Sequence, residues 1–210
     1  MTAVHGLAAA ERADLADLLD TLGTEQWVAP SLCAGWRVRD VVAHLIGYDV
    51  LGWRGSAAVA ARSWVAARSA NDAVVAAWSG RPVSELVAAV RAHLRPRGLT
   101  TGFGGRIALT DCLIHHQDLR RPLGLPRTVP AARLAEALPF AMTAPPLGAR
   151  QRIRGLRLVA TDLDFRHGDG PEVTGPGEAL LLAAAGRADA LSELRGPGRA
   201  LLERRTTGRA

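Results

Sequence analysis

The chain contains no lysine: all 26 of its basic residues are arginine, set against 20 acidic ones. Schiff-base catalysis, pyridoxal-phosphate attachment and a P-loop lysine are therefore excluded. Cysteine is nearly as scarce. Cys33 and Cys112 lie far apart and form no CxxC pair, which argues against a disulfide framework and suits a reducing cytoplasm. Aromatic residues make up only 4% of the chain, although five of them are tryptophan. Long apolar runs are missing too. None approaches the roughly 18 residues of a membrane span, and the N-terminal stretch MTAVHGLAAAERADLADLLD reads as an acidic, amphipathic helix rather than a signal peptide. The arginines behind the net charge of +6 are dispersed between acids, with no RNA or DNA motif and no interleaved aromatics. Neither nucleic acid nor membrane is an expected partner.

What remains is a chain of 210 residues, 48% hydrophobic and rich in alanine and leucine, which favours helices packed through small and straight side chains. Leu15, Leu18, Leu19 and Leu22 form an i, i+3, i+4, i+7 stripe on a first helix, which Gly23 ends, and Thr24 is the expected cap of a short turn containing Trp27. APSLCAGW reads as a loop. A second helix starts near Val38, with Val41, Val42, Leu45 and Ile46 inward and Gly52 as a bend or end. An Ala/Val-rich helical stretch follows, with a break at Asn71-Asp72, then a helix from Pro82 to about Leu94 and one across Asp111 and His115. After a helical patch from Ala131 to Met142, the alternation from Arg157 through Asp164 and the Gly-Asp-Gly-Pro that follows predict strand and turn. Helices from Pro176 to about Ala185 and from Arg199 to Arg205 complete the reading. The expected organisation is mainly α, a helical domain over 1–145 with a small α/β domain over 146–210.

The chemistry concentrates in TDCLIHHQDLRRPLG. On a helix, Asp111 and His115 lie one turn apart on the same face. A carboxylate oxygen and an imidazole nitrogen stacked in this way form half of a divalent-metal site. His44, in RDVVAHLIGYDV, is the candidate third ligand. Two histidines and one aspartate would leave a coordination position open, as catalytic zinc sites do. Spacing alone also describes a hydrogen-bonded Asp/His pair, and His44 also reads as a core histidine or the partner of Asp40 one turn earlier. Asp118 is placed either to hold a ligand histidine through a hydrogen bond or to pair with Arg121 on the surface. His116 points about 100° away from His115 and is expected to face the surface or a loop, as Cys112 is expected to be no ligand. Cys33 reads as a small buried hydrophobe, and Trp27 and Trp36 as packing anchors. Arg120 and Arg121 suit the negative end of their helix.

Three segments carry a resemblance. LCAGWRVRDVVAHL preceded by TLGTEQWVAPS, then DCLIHHQDLRRPLG, then LRLVATDLDFRHGDGPEVTGPGEALLLAAAGR resemble, in order and over most of the chain, the mycothiol-dependent maleylpyruvate isomerase-like family. That family belongs to the DinB-like superfamily of metal-binding four-helix bundles. The resemblance implies a zinc-like divalent ion held by His44, Asp111 and His115, with Asp111 standing where the family more often has Glu. It also implies mycothiol as co-substrate and an arginine, Arg187, reaching toward the site from the small domain. The implied activity is thiol transfer to a small electrophile or its isomerisation; the expected compartment, from cysteine usage, is the cytoplasm, and the chain is expected to be a monomer or homodimer. A non-catalytic protein that binds metal, thiol or another small ligand is the alternative.

Overall fold

Apolar spacing of about 3.6 residues runs through most of the chain, and the computed structural model, which describes residues 2–65 and 69–208, is accordingly mainly helical. It separates into two compact units, Met1–Pro126 and Arg127–Ala210. The first contains helices α1 (Ala3–Thr21), α2 (Thr24–Val28), α3 (Val38–Val65), α4 (Ala70–Trp78), α5 (Val83–Ala92) and α6 (Arg106–Arg120), with a 3-10 stretch Gly98–Gly105 leading into α6.

Four of these helices form a closed ring. Helix α1 packs on α5 and α6, and α3 packs on the same two, while α4 lies along α3. The ring encloses Leu15 and Leu19 of α1, Val41, Val42, Leu45 and Ile46 of α3, Leu86 and Val90 of α5, and Cys112 and Leu119 of α6. Each fully buried aliphatic side chain of this kind contributes about 1.5–3 kcal/mol. The inward stripes expected for α1 and α3 are buried except at Leu22, which follows the end of α1 and is partly buried against the core. Gly52 interrupts α3 with a kink at which two helical segments meet. Its φ of 61° and ψ of −170° are essentially restricted to glycine, so the helix changes course there and continues to Val65. Two local expectations shift. Gly23, not Thr24, caps α2, with its N–H donating to Gln26 Oε1 at 2.9 Å. Asn71 and Asp72 fall within the first turn of α4 and not at a break, because Ser69 is the N-cap and accepts from the Asp72 N–H.

A buried ion pair links α1 to α3. Arg12 Nη2 donates to Asp49 Oδ2 at 2.8 Å, and Asp49 Oδ1 also accepts from the Arg97 N–H at 2.6 Å and Thr100 Oγ1 at 3.0 Å. The carboxylate thereby joins α1, α3 and the 3-10 stretch. Among the described residues, no helix is long and apolar enough to cross a membrane.

The second unit has helices α7 (Ala131–Thr143), α8 (Ala149–Ile153), α9 (Gly177–Ala184) and α10 (Arg199–Thr207) with strands β1 (Arg157–Ala160), β2 (Arg166–His167) and β3 (Glu172–Gly175). The strand order is β2-β1-β3, β1 running antiparallel to β2 and parallel to β3, with Leu158 opposite Val173. Apart from Glu178, helix α9 is apolar and buried along its whole length, and α7 and α8 pack against it. The boundary expected near residue 145 therefore falls near 126, since α7 buries Leu138 and Met142 within this unit. β1 stops earlier than the alternation suggested. Asp162 Oδ1 accepts the Gly177 N–H at 2.8 Å, and the chain turns there to start β2.

Candidate metal centre

Helix α6 carries Asp111 and His115 at i and i+4, and its packing against α3 brings His44 to the same point. His115 Nε2 lies 3.5 Å from Asp111 Oδ1, and His44 Nε2 lies 3.9 Å from the same oxygen. The three donor atoms are all within 4.8 Å of one another. Two ligands of a tetrahedral zinc ion, each about 2.0–2.1 Å from it, are about 3.3–3.4 Å apart. The two nitrogen-to-oxygen distances lie within about 0.6 Å of that spacing, and two nitrogens with one hard oxygen suit zinc or a similar borderline ion. The two imidazole rings meet edge to face, 4.9 Å between centroids. Both histidine side chains are about nine-tenths buried, whereas 34% of the Asp111 side chain is exposed. The set is thus walled on the imidazole side and open on the carboxylate side.

The supports of the two imidazoles differ. His115 Nδ1–H donates to Asp118 Oδ2 at 2.8 Å, and Asp118 is fully buried. Carboxylate–histidine contacts of this kind set the tautomer and ring orientation of metal ligands. The same Oδ2 accepts the Cys33 thiol at 3.1 Å, and Sγ is 3.6 Å from His115 Nδ1. His44 Nδ1 is buried with no hydrogen-bond partner among the described residues. Its ring is held instead by Trp36, at 5.2 Å between centroids, and Tyr48, at 5.8 Å. The polar tips of both aromatics reach the first turn of α4: Tyr48 Oη donates to Asn71 Oδ1 at 2.7 Å and Trp36 Nε1–H to Asp72 Oδ1 at 3.3 Å.

Electrostatics follow from this crowding. Burial pushes the Asp111 carboxyl upward, but the charge and hydrogen bond of His115, with His44 behind it, prevail and hold it well below the usual carboxylate range. Burial opposes the His115 imidazolium, yet Asp111, Asp118 and Cys33 together raise its pKa well above that of a free imidazole. The Tyr48 phenol is raised by burial and by the Asp111 charge, so it remains a proton donor.

Several sequence expectations are redrawn here. His116 is not surface-facing: it is fully buried, its Nδ1–H donates to the equally buried Glu11 at 2.8 Å, and its Nε2 accepts from Arg120 Nε at 2.9 Å. The reason is that α6 is flanked by α1 on one side and α3 on the other, so it has two buried faces rather than one. Arg120 also donates to the Leu125 carbonyl, closing the end of α6. Cys33 is a polar member of the His115 network instead of a hydrophobic filler, and no local sequence signal marks it as such. Cys112 is core, as expected. Trp27 is a buried anchor, and Trp36 packs against the same core while also forming a wall of the site. Arg187 belongs to the second unit, where Nη1 donates to the Ala185 carbonyl at 2.8 Å.

A ring of four helices with a His–Asp–His cluster between two of them is the architecture of a DinB-like four-helix bundle, here followed by a small α/β unit. The sequence profile of the mycothiol maleylpyruvate isomerase N-terminal domain matches residues 8–120, more than half of the chain, and the chain belongs to that family. The crystal structure of a histidine-to-alanine mutant of mycothiol-dependent maleylpyruvate isomerase has the same fold. It is 14% identical, with a TM-score of 0.55 over 92% of this chain and 91% of the other. No curated protein matches the chain in sequence.

Proposed function

We propose that this chain is a divalent-metal-dependent enzyme that uses mycothiol, or a similar small thiol, in transfer to or isomerisation of a small electrophile. The observation that carries the reading is the convergence of His44 Nε2 and His115 Nε2 on Asp111 Oδ1, at 3.9 and 3.5 Å. Family membership supplies the thiol. These three residues would hold the ion, zinc by donor chemistry, and a zinc-bound thiol is deprotonated outright at neutral pH.

The remaining work falls to the chain's own groups. Asp118 keeps the His115 proton on Nδ1, which leaves the Nε2 lone pair facing the cluster. The exposed flank of Asp111 faces the route by which a thiol and an electrophile would enter. Trp36 and Tyr48 give the His44 side an apolar wall that excludes water, and an excluded-water site strengthens every charge interaction within it. Cys33 and Cys112 form no disulfide, which suits a reducing compartment such as the cytoplasm.

The test has two stages. Elemental analysis of protein purified without chelator should find about one divalent ion per chain, lost in His44→Ala and Asp111→Ala. Titration with mycothiol, followed by assays of thiol consumption with chlorinated aromatics or epoxides and of isomerisation with maleyl-type acids, then separates enzyme from binder. Protein that takes up thiol but turns over no electrophile is a ligand-binding bundle, and the catalytic proposal fails.

A further inference from the structure

We propose that the loop over residues 30–37 is a two-armed clamp that sets the orientation of both imidazoles, with Cys33 acting on His115 through Asp118 and Trp36 acting directly on the ring of His44. Cys33 and Trp36 are positioning residues in this scheme, and the inference rests on the metal reading of His44, Asp111 and His115.

The loop is closed on itself. Pro30 and Arg37 form an antiparallel bridge, the Ser31 N–H and Oγ both donate to the Trp36 carbonyl at 3.0 and 2.8 Å, and the Trp36 N–H returns to the Cys33 carbonyl at 2.9 Å. The Cys33 N–H donates to Ser31 Oγ at 3.1 Å. Cys33 and Trp36 therefore project from one internally bonded frame. The first arm grips α6 twice at the same residue: the Leu32 N–H donates to the Asp118 carbonyl at 3.1 Å, and the Cys33 S–H donates to Asp118 Oδ2. That oxygen is the one that receives His115 Nδ1–H, so moving the loop turns the carboxylate and with it the ring. The second arm matters because His44 has no hydrogen bond at Nδ1 among the described residues to orient it. Its angle is set by ring packing, and Trp36, tied at Nε1 to Asp72, is the contact contributed by the loop.

A competing reading makes Cys33, His115 and Asp118 a second ion site, since their donor atoms also lie within 4.8 Å of one another. Geometry favours the clamp. Sulfur and oxygen on one zinc ion are about 3.6 Å apart, and nitrogen and oxygen about 3.4 Å. Here the separations are 3.1 and 2.8 Å, which are hydrogen-bond lengths. Occupying Nδ1 as well as Nε2 would also require a bridging imidazolate.

The experiment measures zinc affinity by chelator competition and the d–d absorption of the cobalt(II)-substituted full chain, for wild type, Cys33→Ala, Cys33→Ser and Trp36→Leu. Cys33→Ala should weaken zinc binding by about tenfold, the lower end of the range for groups behind metal ligands, and should alter the cobalt spectrum. Cys33→Ser keeps a donor and should restore both to near wild type. Trp36→Leu should shift the cobalt bands and weaken binding to a similar degree. Should Cys33→Ala not fold, methylthiolation of Cys33 in the folded wild type removes the same donor, since Cys112 is buried. Wild-type affinity in Cys33→Ala sinks the clamp and leaves the metal reading standing. A thiolate-to-cobalt charge-transfer band in the wild type, lost equally in Cys33→Ser, makes Cys33 a ligand and overturns it as well. Wild-type protein that binds no zinc takes down the metal reading and the clamp together.

Discussion

Replacing Asp118 by asparagine isolates the charge behind His115 while keeping size and hydrogen-bonding shape. Asp118 is fully buried, and its Oδ2 accepts from both His115 and Cys33. A hydrogen bond to a charged acceptor contributes about 1.5–3 kcal/mol, against roughly 0.5–1.5 for a neutral one. The amide oxygen of the Asp118→Asn side chain would still accept from Nδ1, so the expected loss is about 1–2 kcal/mol, or roughly 5- to 30-fold in metal affinity. Competition with a chromophoric chelator reads that number, and far-UV circular dichroism with a thermal melt verifies that the bundle is intact. A second readout separates positioning from general destabilisation. Asp118 helps to raise the His115 pKa, so in metal-free D118N the His115 ring protons should titrate at lower pH than in wild type. Zinc affinity within about twofold of wild type and an unmoved His115 titration would refute the role given to Asp118.

Three further outcomes are expected. In the metal-free protein His115 keeps its proton to unusually high pH, and an ion needs the Nε2 lone pair. Zinc binding should therefore release a proton near neutral pH and tighten about tenfold per pH unit, levelling off above the raised pKa; calorimetry in buffers of different ionisation enthalpy measures this, and zero proton release contradicts it. Asp49→Ala leaves the Arg12 guanidinium, whose side chain is only 6% exposed, without its counter-charge, although Nη1 still donates to the His93 carbonyl, and should cost about 3–5 kcal/mol in urea unfolding; a cost under about 1 kcal/mol would mean that water reaches the pair. In Gly47→Ala the new Cβ would sit 2.2 Å from Val74 Cγ1, an overpacking of about 1–3 kcal/mol. Pairing it with Val74→Ala should recover most of that loss, and simple additivity of the two would disprove the clash.

Legibility from the sequence varies with how local the cause is. The inward stripes of α1 and α3 and the Asp111/His115 spacing on α6 follow from periodicity within a single segment, and the interruption at Gly52 follows from glycine itself. The differences arise where a segment answers to a distant partner. Strand β1 is shorter than its alternation predicts because Asp162 is taken by the Gly177 N–H. Helix α7 belongs to the second unit because it packs on α9 and α8. His116 is buried because α6 has two covered sides, and helical spacing by itself implies only one.

What the sequence determined by itself was which residues share a helix face and which chemistry the chain lacks, because 3.6-residue geometry and residue identity need no neighbour. It also carried the family resemblance on motifs spread over most of the chain. The tertiary structure alone decided that His44 of α3 comes within 3.9 Å of Asp111 on α6, that Asp118 turns inward, and that Cys33 joins them from a loop 85 residues away from Asp118. Those meetings depend on how side chains from four helices interlock, and interlocking is a property of the packed whole that no single segment encodes.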